Sequence, residues 1–163
     1  KGQNPKIAVP NTLKRLSIIL FSLVILQIIY GGFVAGLKAG FVYNTFPMMG
    51  DKWIADGVTG MTPFWRNFTD GLAGVQFVHR YLAWLIVLLA GCIWIAVKKM
   101  NIEGNQKRSI KIVLAVVTAQ FVLGVFTLIF AVPVTLGILH QATAMLLFGA
   151  MVYLIRQVYP QAG

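Results

Sequence analysis

From Ile112 to Ile155 the chain runs for 44 residues without a Lys, Arg, Asp or Glu. At ~1.5 Å of rise per residue, one unbroken helix of that length would be about twice as long as a bilayer's hydrocarbon core is thick. The segment must fold back on itself. Val132-Pro133-Val134-Thr135 is the natural break, since proline lacks the amide hydrogen a helix needs and its β-branched neighbours disfavour continuing one. Two more stretches, Leu16 to Leu37 and Gly71 to Val97, carry no charge except Arg80. With 58% hydrophobic and 11% charged residues, the chain has far more apolar surface than one water-soluble core of 163 residues needs. The expected fold is all-α, an integral membrane four-helix bundle. Its helices span about 14–38, 73–98, 110–131 and 135–157, with a connection over 40–72, and residues 1–163 form a single transmembrane domain.

The basic residues orient this bundle, because Lys and Arg near helix ends stay on the side from which a chain is inserted. Lys1, Lys6, Lys14 and Arg15 precede the first helix, Lys98, Lys99, Lys107, Arg108 and Lys111 join the second to the third, and Arg156 ends the fourth. The opposite side has Lys38, Lys52, Arg66 and Arg80, offset by Asp51, Asp56 and Asp70, and the Pro133 turn has no charge. Both termini are therefore expected inside. The net charge of +10 reads as this topological signal plus contact with anionic headgroups, so no nucleic-acid partner is expected. A single cysteine, Cys92, excludes an intrachain disulfide and a paired-thiol redox mechanism, and it is expected to serve packing. Residue 1 is Lys and no signal-peptide pattern precedes the first helix, so the chain is expected to be part of something longer.

The one long connection, Gly40 to about Gly71, is rich in glycine, aromatic and turn residues, and Thr62 to Phe68 has the composition of a short interfacial helix. An internal repeat relates the helices. Gln27-x-x-x-Gly31-x-Phe33 matches Gln120-x-x-x-Gly124-x-Phe126, and His79-x-x-x-Ala83-x-Leu85 matches His140-x-x-x-Ala144-x-Leu146. The four helices read as two copies of a helix pair, related by an axis along the membrane normal.

The only histidines, His79 and His140, fall at equivalent places in the two copies, about five residues or 7 to 8 Å below the outer edge. Two imidazoles at one depth in a four-helix bundle can hold a haem by its iron from both faces. They can equally be interfacial side chains bonded to backbone or water. A haem also needs a slot for its rings and positive charge for its propionates. Gly32-x-x-x-Gly36-x-x-x-Gly40, with Ala35 and Ala39, offers a slot, or simply lets helices approach closely. Arg80 and Lys38 could pair with propionates, or snorkel to the headgroups. No Asp or Glu is expected inside any helix, which argues against a proton relay. Iron with both axial positions filled by histidine has no open site, so such a haem would serve electron transfer or structure.

Gly31-Gly32-Phe33-Val34-Ala35-Gly36-Leu37-Lys38-Ala39-Gly40, then Tyr43-Asn44-Thr45-Phe46-Pro47, Val75-Gln76-Phe77-Val78-His79-Arg80 and His140-Gln141 together resemble the haem A synthase family, especially its alphaproteobacterial and mitochondrial type. The resemblance runs from about Leu16 to Arg156. It implies an eight-helix membrane oxidoreductase built of two similar halves, of which this chain is similar to the C-terminal one. In such a half a b-type haem lies between two histidines, here His79 and His140. The family's other half would hold the substrate haem O and the acidic catalytic residue, and the reaction would oxidise a haem O methyl group to a formyl. No catalytic residue is then expected in this chain, and the half alone should be inactive. The resemblance further implies an inner membrane of a bacterium or mitochondrion, haem O synthase or oxidase assembly factors as partners, and room for a homo-oligomer. Two other readings stand beside it: a b-type cytochrome subunit passing electrons between a quinol and a partner, and a haem-free transporter or assembly scaffold.

Overall fold

The computed structural model describes residues 8–159, so Lys1 and Lys6 of the orientation count lie outside the described residues. Four helices make the fold: α1 Asn11–Gly36, α2 Leu72–Val97, α3 Gly104–Ile129 and α4 Val134–Val158, with short 3-10 turns at Ala39–Phe41, Asp56–Val58 and Phe64–Phe68. All four are long and apolar enough to cross a membrane, and the chain is a multi-pass membrane protein. Each helix packs on its neighbours in a closed ring, α1 on α2 and α4, α3 on α2 and α4, so that α2 and α4 stand on one diagonal.

The largest departure from expectation is the start of α3, at Gly104 rather than near residue 110. Lys107, Arg108 and Lys111 suggested a loop. Glu103 instead caps the helix through a reciprocal capping box with Gln106, whose side chain accepts from the Glu103 amide at 3.1 Å. The helix thus extends past the apolar zone with its basic side chains outside. Cys92 is also placed differently: it is exposed on the outside of α2, one position from the buried Ile93.

Burial along the helices is uneven. Leu13, Leu20 and Val24 of α1, Ile86, Ala90, Ile93 and Val97 of α2, Val113 and Val117 of α3 and Leu147, Met151 and Leu154 of α4 form one apolar cluster. Their spacing of three and four residues is that of a helix face turned to a core. The cluster fills only the half of the bundle at the basic end.

At the opposite end the connection between α1 and α2 packs as a cap. Met49, Ala55, Val58 and Ala73 form a second apolar cluster with Tyr43, Phe68 and Phe77 against it. Asn67, fully buried, accepts from the Met61 amide at 2.8 Å and donates to the Phe64 carbonyl at 2.7 Å. The Asn44 side chain donates to the carbonyls of Gly40 and Leu128, at 2.8 and 2.9 Å, tying the cap to the end of α3. Phe64 and Trp65 of the predicted interfacial helix are largely exposed, in a 3-10 turn. Ion pairs in the cap are local: Lys52 with Asp56 at 2.7 Å and Arg66 with Asp70 at 2.8 Å. Asp56 raises the Lys52 ammonium above its usual range, and the Arg66 guanidinium holds Asp70 below the usual carboxylate range.

The two helix pairs repeat in backbone as well as in sequence. α1 and α3 end alike, with Lys38 at φ 57° and Ala131 at φ 58°, both left-handed, and with matching terminal bonds from Leu37 to Phe33 and from Phe130 to Phe126. Val132 follows at φ 58°, a strained conformation for a β-branched residue, and its side chain lies against Gly40, where a Cβ would come within 2.9 Å.

Candidate functional site

Between the apolar cluster and the cap lies a cavity of about 590 Å³, touched by all four helices. That volume is in the range of small-molecule and cofactor sites, roughly 300–1,000 Å³. Its floor is one aliphatic side chain from each helix, Val24, Ile86, Val117 and Leu147, all of them also in the apolar cluster. Val24 and Val117 occupy matching places in the repeat, and so do Ile86 and Leu147. Ala83 and Ala144 match on the walls.

His79 and His140 line this cavity, together with Arg80 and Lys38. The four side chains singled out in the sequence thus share one space. His79 is the eighth residue of α2 and His140 the seventh of α4, about 9 to 11 Å from the helix starts, slightly deeper than expected because α2 and α4 begin earlier.

Each histidine is held by the helix that precedes it in its own pair. The Gln27 amide nitrogen lies 3.2 Å from His79 Nδ1 and 3.3 Å from Nε2, and donates to the His79 carbonyl at 3.0 Å. The Gln120 amide nitrogen lies 3.3 Å from His140 Nε2. One turn further along, the missing side chains of Gly31 and Gly124 leave room for the rings, since added Cβ atoms would stand 3.4 Å from His79 Cε1 and 2.9 Å from His140 Cε1. The Gln-x-x-x-Gly half of the repeat is therefore a clasp for the histidine half. His140 Nδ1 and the amide oxygens of Gln27 and Gln120 are buried without a partner among the described residues.

The repeat breaks beside the histidines, where Gln76 and Arg80 on α2 face their counterparts Gly137 and Gln141 on α4. Arg80 is 8% exposed and does not snorkel. Its guanidinium donates to the Thr45 and Met48 carbonyls at 2.8 and 3.1 Å and to the Tyr43 carbonyl, which Gln76 also reaches at 3.1 Å. Its Nε has no partner among the described residues. Arg80 thus straps the start of the cap to the bundle. Phe46, inside that strap, lines the cavity and stacks on Trp84 at 5.7 Å, with Phe121 at 6.0 Å. Lys38 lines the cavity at the cap end, and no Asp or Glu does. Replacing Arg80 by leucine should leave the Thr45 carbonyl without a donor, at ~1–3 kcal/mol. Limited proteolysis in detergent should then cut the 43–58 region faster, while Arg80→Lys, lacking the fork, restores protection only in part.

Part of the small-residue stripe, Gly32, Ala35 and Gly40, lines the cavity. Nothing of the described chain lies within 4 Å of a Cβ built on Gly32 or Gly36, so these glycines do not bring two helices of this chain together. The close approaches in this region are made by Gly40, the last glycine of the stripe, and by Gly31 beside it. Gln27, Gln120, Gln76, Asn44 and Phe46 were not singled out as site residues in the sequence. The repeated Gln-x-x-x-Gly was the visible signal for the first two.

Chemically, the cavity offers apolar walls, two imidazoles, two uncompensated cations and no carboxylate. Among the described residues no three His, Cys, Asp or Glu side chains converge, so a bare metal ion would find few protein ligands. Two imidazoles suit a metal that brings its other ligands with it in a macrocycle. The cavity volume, the apolar walls and the unpartnered His140 Nδ1 fit such a group.

The sequence profile of the COX15-CtaA family, described as cytochrome oxidase assembly protein, matches residues 1–152. A protein named Heme A synthase from Nitrosospira multiformis is 36% identical over 149 residues, 91% of this chain and 42% of that protein. One of the same name from Parvibaculum lavamentivorans is 40% identical over 85% of this chain and 39% of its own length. Heme A synthase COX15 of Arabidopsis thaliana is 40% identical over 86% of this chain and 31% of its own. The chain spans less than half the length of these curated relatives. No solved structure gives a significant match.

Proposed function

The chain belongs to the COX15-CtaA family of cytochrome oxidase assembly proteins, and on that premise we propose that it is the C-terminal half of a haem A synthase, holding a b-type haem between His79 and His140. The observation that carries this reading is the placement of the chain's only two histidines, on diagonal helices, in the walls of one cavity.

In this reading His79 and His140 would each supply a ring nitrogen to the iron and would leave it no open site for oxygen or substrate. Bound there, the haem supplies one-electron transfer. Lys38 and the Nε of Arg80 offset the negative charge of propionates at the cap end. The four floor residues shut out water from the basic end. Conversion of the haem O methyl group to a formyl belongs to the other half of the enzyme, so the purified chain alone is expected to convert no haem O. Orientation follows from Lys14, Arg15, Lys98, Lys99, Lys107, Arg108, Lys111 and Arg156 at one end. Both termini then face the inside of a bacterial cytoplasmic or mitochondrial inner membrane, with oxidase assembly factors as neighbours.

Titrated with haem b in detergent, the purified chain should bind an equimolar amount and give the optical bands of six-coordinate, low-spin haem. A chain that stays colourless, or binds haem only in a high-spin form, overturns the proposal.

A further inference from the structure

We propose that Gln27 and Gln120 are positioning residues for the two iron-binding imidazoles, each accepting through its amide oxygen the N–H of the ring nitrogen that does not face the metal; this rests on the reading above.

The first support is repetition. Gln27 and Gln120 occupy matching places in the two helix pairs, both line the cavity, and each reaches the histidine of its own pair within 3.3 Å. They are the only side chains among the described residues that hydrogen-bond either imidazole. A coincidental contact has no reason to occur twice at equivalent positions.

The second support is what each contact leaves unfinished. Both amide oxygens are buried and without a partner among the described residues. A buried acceptor with no donor is destabilising, and here the cost arises in both copies. A neutral imidazole has one N–H and one lone pair. When iron takes the lone pair, the remaining N–H must find an acceptor nearby, and metal-bound histidines almost always have one. The glutamine oxygen is the unpartnered acceptor on the same side chain, and turning the amide about its last bond brings it to the ring, at Gln27 giving up the bond to the His79 carbonyl. The donor that the glutamines lack and the acceptor that a ligated imidazole needs are thus complementary.

The two clasps are unequal. Gln27 is anchored additionally to the His79 carbonyl, whereas Gln120 has a single contact and His140 Nδ1 is buried without one. Gly124 sits closer to its ring than Gly31 does. The His140 side has the looser hydrogen bonding in a tighter notch, so its chemistry should respond more to change.

An acceptor on the outer N–H gives the ring more imidazolate character and stabilises ferric iron. Gln120→Leu should therefore raise the midpoint potential of the bound haem by about 59 mV, a tenfold change for a one-electron couple, in line with the roughly 10–100-fold effects of outer partners. Gln27→Leu should shift it the same way by less. Gln120→Glu, a stronger acceptor, should move it downward. The optical bands should stay those of low-spin haem in all three. A spacer that merely fills volume gives no rise in the Leu variants, so unchanged or lowered potentials there overturn the inference; the Glu shift is read together with them, since a carboxylate beside the haem lowers the potential by its charge alone. If a Leu variant fails to retain haem, Gln120→Met, apolar and of nearly the same length, takes its place. Failure of the underlying reading is separate, since it shows as a wild-type chain that binds no low-spin haem.

Discussion

Replacement of either His79 or His140 by alanine is expected to abolish the low-spin haem spectrum while leaving the fold intact. Each histidine lies in the cavity wall, outside both apolar clusters. Its removal opens no gap in the packed half of the bundle. It also removes a half-buried polar ring whose only side-chain partner among the described residues is one glutamine, so stability should change by less than about 1 kcal/mol. The effect on haem should be far larger. One axial ligand is lost, and affinity should fall by more than the roughly 10–100-fold typical of losing an outer partner. Residual haem should be high-spin. Added imidazole, small enough for the space the missing ring leaves, should restore the low-spin bands in both variants. Optical titration with and without imidazole checks this, and unchanged thermal unfolding in detergent shows that the fold is intact.

The opposite profile, lost stability with the histidines untouched, is expected from Gly74→Ala. A Cβ at residue 74 would overlap the backbone carbonyl of Asn67 and stand 3.3 Å from the Val58 carbonyl. Neither can move aside. Asn67 is fully buried and its side chain is bonded to the backbone of Met61 and Phe64. The first turn of α2 must separate from the cap, at about 3 kcal/mol, the upper end for overpacking. A gain of ~0.5–1 kcal/mol in helix propensity does not offset that. Gly91→Ala is the matched control, since nothing lies within 4 Å of its Cβ position, and it should be neutral or slightly stabilising. Unfolding temperatures of the two variants should differ by roughly 8–16 °C. Equal temperatures would mean that the cap is not docked on α2 as described.

The parts of this protein that were legible in the sequence are those carried by pattern over many residues. A charge-free run too long for one crossing implied the α3–α4 hairpin, and the two matching histidines marked the cavity. What was not legible depends on the rotation of one helix against another. Gln27 and Gln120 stood in the repeat motif, but a motif within α1 or α3 does not say that its glutamine faces the histidine of the next helix. Arg80 does not snorkel to the headgroups, because the carbonyls it binds belong to a connection whose path no periodicity describes. Gly32 and Gly36 have the spacing of a helix-contact stripe, yet they face open space, while Gly31, one residue away, meets His79. Cys92 sits one position off the buried face of α2, and a uniformly apolar helix hides that difference.

The floor of Val24, Ile86, Val117 and Leu147 also has an electrical consequence. It continues into the apolar packing down to the basic end, and the histidines stand about 9 to 11 Å from the helix starts at the cap end, so a charge beside them has the longer stretch of low dielectric below it. The membrane voltage therefore falls mainly below the cavity. An electron that enters or leaves by the cap crosses little of that voltage. One exchanged through the basic end crosses most of it, at up to about 2.3 kcal/mol per 100 mV. The bundle places any redox group it holds on the electrical side of the cap.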